Sequence, residues 1–187
     1  MEIRNNNTDF KVEDRTVEGY AVVFNQRSVD LGWIETIHPE ALTQETIDKS
    51  DVMAKFNHSD EKILARSKFG KGSLTLELDE HGLKYRFEAP KTALGDEVLE
   101  YLHRGDITGS SFAFSINKND KESERWHKEG NVLYRDIYRI ERLYDVSPVF
   151  SPAYETTTCS ARFDEVKANS DEVDKVMETY KEEINKL

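Results

Sequence analysis

Gly105-Asp106-Ile107-Thr108-Gly109-Ser110-Ser111-Phe112-Ala113-Phe114-Ser115-Ile116 changes character in its middle. The small residues Gly109, Ser110 and Ser111 lead into a hydrophobic strand over residues 112–116. A serine hydroxyl therefore sits where an apolar strand begins. Two other apolar segments carry complementary groups. Val52-Met53-Ala54-Lys55-Phe56 reads as a strand that delivers Asn57 and His58 to its end, and Tyr144-Asp145-Val146-Ser147-Pro148 sets an acid inside a third segment. A serine hydroxyl is a poor nucleophile near neutral pH. A neutral imidazole has to take its proton, and a third group has to hold that imidazole in the right tautomer. Histidine, serine and acid occur here in that order.

Further strands surround this stretch. Residues 16–24 are β-branched and aromatic, which suits a strand. Residues 25–28 read as a loop and 33–37 as a short strand. Pro39 opens a helix through about Lys49, since proline is tolerated in the first helical turn. Residues 73–78 and 83–88 alternate across Asp79-Glu80-His81-Gly82, a hairpin signal with Gly82 able to take a positive φ. Residues 94–104 read as a helix. Leu94, Val98, Tyr101 and Leu102 share its apolar face, His103 and Arg104 suit its negative end, and Gly105 stops it. Residues 118–125 form a charged loop. Trp126 and residues 132–134 flank a turn at 129–131, and a long strand region runs from Ile137 to Val149. Strands dominate. The expected fold is mainly β with helices (α+β), a closed or nearly closed antiparallel barrel flanked by helices.

From Asp164 the composition changes. Val173, Val176, Met177, Tyr180, Ile184 and Leu187 mark one face of an amphipathic helix, capped by Ser170, with Asp171 and Glu172 at its positive end. Two units are expected: a catalytic domain over 1–163, and a linker with a helical tail over 164–187.

The chain has 187 residues, 37% hydrophobic and 34% charged, with a formal charge of −11. An acidic protein repels phosphate backbones, which argues against nucleic acid as the main partner. The single Cys159 excludes an internal disulfide and a cysteine-rich zinc site. No apolar run approaches a membrane span, and the N-terminal residues form no signal peptide. An intracellular protein is expected.

Each chemical group taken singly has a bland reading. A lone histidine usually makes structural hydrogen bonds, Ser110 and Ser111 beside glycine suit a turn, and Asp145 could pair with Arg142 or Arg139. His58 with Asp60 and Glu61 matches no specific metal-ligand spacing. The ordered set is more specific, and it resembles the prohead (procapsid maturation) proteases of tailed bacteriophages, a family related in fold to the herpesvirus assemblin proteases. The resemblance spans roughly residues 18–162. It runs through Gly19-Tyr20-Ala21-Val22-Val23-Phe24-Asn25, Glu35-Thr36-Ile37-His38-Pro39-Glu40-Ala41-Leu42 and Phe56-Asn57-His58-Ser59-Asp60. It continues through Leu64-Ala65-Arg66, Asp79-Glu80-His81-Gly82-Leu83 and the segment 105–114, and closes with Asp145-Val146-Ser147-Pro148-Val149-Phe150-Ser151-Pro152-Ala153-Tyr154 and Arg162.

The resemblance implies Ser111, directly before the aromatic, as nucleophile and His58 as base. Asp145 matches the third member, where the family more often has glutamate, and Glu141 is the alternative. Backbone amides over 147–151, bounded by Ser147 and Ser151, are implied for the oxyanion, with Arg66 or Arg162 nearby. No metal or cofactor is called for. The implied role is a serine endopeptidase packaged in the procapsid in the host cytoplasm. It would cut scaffold protein or the scaffolding segment of the major capsid protein, then itself, with self-association and no membrane. The other class of reading is a catalytically silent assembly module on the same fold.

Overall fold

A computed structural model describes residues 1–8 and 10–150. In chain order the strands and helices are β1 (Glu2–Asn7), β2 (Lys11–Glu13), β3 (Thr16–Val23), β4 (Ile34–Ile37), α1 (Gln44–Asp48), β5 (Asp51–Lys55), β6 (Ile63–Lys68), β7 (Lys71–Gly72), β8 (Leu74–Leu78) and β9 (Gly82–Glu88). They continue with α2 (Ala93–Arg104), β10 (Ile107–Ser115), β11 (Glu124–Glu129), β12 (Val132–Ile137) and β13 (Arg142–Phe150). Mainly β with few helices is the observed class. The expected linker and helical tail, and with them Ser151 and Arg162, lie outside the described residues.

The ladders make three sheets, of order β1-β10-β13-β5-β6-β7, β2-β3-β9-β8 and β11-β12-β4. Among the described residues none closes on itself, so the expected barrel is corrected to separate sheets. The reason lies at the edges of the largest sheet. β7 spans only Lys71–Gly72 before the chain crosses to β8 in another sheet. At the other edge β1 meets β3 through side chains: Asn6 Nδ2 donates to the Tyr20 carbonyl (3.4 Å), and Tyr20 N–H donates to Thr8 Oγ1 (3.1 Å). Those contacts occupy backbone groups that a closing ladder would need.

One core joins the two larger sheets. Phe112, Phe114, Val146, Val52 and Ala54 from the first pack with Val17, Ala21, Leu83, Tyr85 and Phe87 from the second. Each large side chain buried there contributes about 1.5–3 kcal/mol. The parallel β5–β13 pairing sits in the middle, with Met53 opposite Asp145 and Ala54 opposite Val146.

Four local expectations change. The helix from Pro39 is interrupted: a 3₁₀ turn covers Pro39–Ala41, Leu42 is extended, and α1 restarts at Gln44. Thr43 Oγ1 accepts from Thr46 N–H and makes a fresh N-cap there. The long strand region breaks between β12 and β13, because Ile140 N–H turns to the Ala41 carbonyl and Glu141 N–H to that of Ser115. Gly82 does not adopt a positive φ. It is needed for close approach, since a Cβ there would lie 1.9 Å from the Val22 carbonyl oxygen. β1 was not anticipated, because asparagines are poor strand formers. Gly105 does cap α2 in the left-handed region, at φ 74°.

Candidate active site

Strand periodicity separates the two adjacent serines. Successive side chains on a strand point to opposite faces. Phe112 and Phe114 stack at 5.2 Å in the core. Ser110, an even number of residues before them, faces the same way and donates to the phenol oxygen of buried Tyr85 (2.9 Å). Burial pushes the Tyr85 phenol up from its ordinary range. Ser111 therefore faces away from that core. Its neighbours across the ladders are Ser147 on β13 and Asn5 on β1.

β13 presents Asp145 and Ser147 on the same face by the same two-residue period. Asp145 is 2% exposed and Ser147 is fully buried. β5 contributes Met53 opposite Asp145, and Lys55 two residues on, again on that face. His58 arrives from the turn that follows β5. Asn57 and His58 both lie in the left-handed region, at φ 49° and 57°. Consecutive non-glycine residues there are strained. The turn is clamped: Asn57 N–H donates to the Pro148 carbonyl (3.2 Å), and Asn57 Oδ1 accepts from Phe150 N–H (3.3 Å). These bonds tie the histidine's turn directly to β13.

The side chains form a continuous line. Asp145 Oδ1 lies 2.8 Å from His58 Nδ1, and His58 Nε2 lies 2.5 Å from Ser111 Oγ. An ionised carboxylate only accepts, so Nδ1 carries the imidazole hydrogen and Nε2 keeps its lone pair toward the serine. Ser111 Oγ also lies 2.8 Å from the Arg4 carbonyl. One hydroxyl proton serves one acceptor at a time, so the Arg4 carbonyl competes with His58 for it. Ser147 Oγ donates to Asp145 Oδ1 (2.9 Å), and Lys55 Nζ stands 3.7 Å from Asp145 Oδ2.

Other residues singled out in the sequence lie elsewhere. Glu141 is exposed and lies just before β13, four residues ahead of Asp145. The Arg66 guanidinium is engaged by the Asp51 carboxylate, Nε at 2.7 Å. Asp60 accepts from Lys55 Nζ at 2.6 Å, and that hydrogen bond and charge hold its carboxyl below the usual range.

Beside the site lies a buried ionic cluster that sequence reasoning missed. Arg4 Nε and Nη2 reach the two Glu35 oxygens at 2.5 and 2.7 Å, and Nη2 also reaches Glu2 at 2.7 Å. Arg135 donates to Glu35 (2.9 Å), to Glu2 (2.9 Å) and to Glu124 (2.6 Å). The cluster fixes β1, and with it the Arg4 carbonyl, against β10. Its only sequence signal is the glutamate at position 35, between the isoleucines of a short strand.

A family description, caudovirus prohead serine protease, matches residues 1–175. No curated protein and no solved structure matches the chain.

Proposed function

We propose, from the premise that this chain belongs to the caudovirus prohead serine proteases, that Ser111 is its nucleophile, His58 its general base and Asp145 the acid that orients the base. Membership makes it a serine protease of prohead maturation. The observation that carries the residue assignment is the line from Asp145 Oδ1 through both ring nitrogens of His58 to Ser111 Oγ, at 2.8 and 2.5 Å.

The reaction follows from that line. Ser111 Oγ attacks a substrate peptide carbonyl while His58 Nε2 takes its proton. The proton passes to the leaving amine, an acyl-serine remains, and water activated by His58 releases it. Proton transfer of this kind contributes about 10²–10⁴-fold. Asp145 stabilises the imidazolium and keeps Nδ1 protonated. Backbone amides of the segment 147–151, with Arg162, are the donors proposed for the oxyanion, apart from Pro148, which has no N–H, and Phe150, whose N–H is taken by Asn57 Oδ1. Arg66 is a poorer choice, because Asp51 holds its guanidinium.

The substrates proposed are scaffold protein or the scaffolding segment of the major capsid protein, and the enzyme itself, cut inside the assembling procapsid in the host cytoplasm. The tail over 164–187 is assigned to recruitment or self-association. Kinship in fold with the herpesvirus assemblin proteases belongs to the same proposal and rests on the ordered sequence blocks. Coexpression with the capsid and scaffold subunits, followed by intact-mass analysis, tests the whole reading. Fragments that vanish in Ser111→Ala are expected. Unchanged fragments in that variant, or intact subunits with the wild type, would overturn it, and the second result would favour the silent assembly module.

A further inference from the structure

We infer that Ser147 and Lys55 are positioning residues that jointly hold the Asp145 carboxylate aimed at His58 Nδ1. The inference rests on the triad reading above and extends it. Asp145 has almost no contact with solvent, so water does not stabilise its charge. Two carboxylate oxygens offer about four acceptor sites. His58 takes one on Oδ1, and the Ser147 hydroxyl takes another on the same oxygen. Oδ2 faces the Lys55 ammonium. A fully buried serine hydroxyl bonded to a triad acid is bound to one side of the carboxylate and prevents its rotation. An ammonium on the other side balances its charge.

Two strands supply this by register. Asp145 and Ser147 are two apart on β13, and Lys55 is two beyond Met53, the partner of Asp145, on β5. All three side chains share one face without any loop having to place them. Asp60, exposed in the turn that carries His58, holds the other side of the Lys55 ammonium at 2.6 Å. The Ser147 side chain thus acts on the acid, not on the oxyanion.

The charged groups on this face are Asp145 from β13, Asp51 and Lys55 from β5, Arg66 and Lys68 from β6 and Asp60 from the turn, with Asp51 and Arg66 bonded to each other. Removing the lysine charge favours imidazolium. Removing the Ser147 donor concentrates charge on Oδ1 and favours it too. Both changes should move the acid limb of the activity profile to higher pH. The test is the rate of Ser111 labelling by a fluorophosphonate across pH, followed by intact mass on the full chain. In that reaction Ser111 Oγ bonds to phosphorus, fluoride leaves and His58 takes the proton.

Ser147→Ala and Lys55→Met should each slow labelling about ten- to a hundredfold, with the acid limb displaced upward. Lys55→Arg should restore most of the rate. Slower labelling with an unmoved acid limb, and no advantage of Lys55→Arg over Lys55→Met, would show a merely structural role and overturn the inference. So would wild-type labelling in both variants. Ser111→Ala separates the levels: if it is still labelled and still cleaves, the triad reading fails, whereas an inert Ser111→Ala beside a fully active Ser147→Ala sinks only the positioning role.

Discussion

Ser110 and Ser111 are chemically identical neighbours with opposite surroundings. One hydroxyl is committed to Tyr85 in the core, and the other lies between His58 and the Arg4 carbonyl. Ser111→Ala should abolish peptide cleavage. Ser110→Ala should retain it, while losing about 1–3 kcal/mol of stability, because the Tyr85 phenol is left without its partner. A cleavage assay and a urea titration on both variants separate the roles. A dead Ser110→Ala with an active Ser111→Ala would reverse the assignment. The acid is tested in the same way. Asp145→Asn should lower turnover about 10⁴-fold with the fold intact, since the amide favours the wrong histidine tautomer. Glu141→Gln, at an exposed site, should leave turnover nearly unchanged. The sequence placed a nucleophile beside Phe112 and offered Asp145 and Glu141 as acids. Only the β5–β13 pairing, which sets Met53 opposite Asp145, brings one of them to His58.

Two elements hold the site in place. The Asn57-His58 turn keeps two left-handed residues by bonding Asn57 to Pro148 and Phe150. Glycine tolerates that conformation and alanine does not, at a difference of about 1–2 kcal/mol. Asn57→Ala should therefore be less stable than Asn57→Gly by about that amount. Both should lower turnover, because both lose the amide clamp on β13. Equal stabilities in calorimetry would show that the turn carries no such strain. The second element is β1, held by the Glu2–Arg4–Glu35–Arg135 cluster. Glu35 is 2% exposed between two arginines, so Glu35→Ala should cost about 3–5 kcal/mol, the penalty for stranding buried charge. Within that cluster burial raises the Glu2 carboxyl, but the hydrogen bond and charge of Arg135 and the charge of Arg4 outweigh it and pull it down to about 2. The folded value lies below the ordinary 4.5. The stabilisation is therefore complete above 4.5 and lost as pH falls toward 2. It amounts to about 3 kcal/mol. Glu2→Gln should flatten the fall of stability in that window, as measured by denaturant titrations at stepped pH. An unchanged slope would show that Glu2 is not held by the arginines.

The molecule divides its chemistry from its expected tail. The side chains of the proposed triad, with Ser147 and Lys55, lie between residues 55 and 147, on β5, β10, β13 and the turn after β5. A chain ending at Phe163 should keep its fold and its fluorophosphonate reactivity while losing recruitment into procapsids or self-association. An unfolded truncation, or one that coassembles like the full chain, would show that division to be wrong. The sequence by itself determined the β-rich class, the hairpin over 73–88, the helix ending at Gly105 and the family, since these rest on local periodicity, capping and the order of short blocks. It could not show that the sheets stay separate. That depends on whether edge strands spend their backbone groups on side chains or on a closing ladder. Nor could it reveal β1, whose asparagines argue against a strand. Its pairing with β10 joins segments more than a hundred residues apart, and charges from β4, β11 and β12 hold it there. Local pattern encodes which side chains share a face. Only the tertiary structure decides which faces meet, because pairing across long separations is chosen by the packing and charge balance of the whole chain.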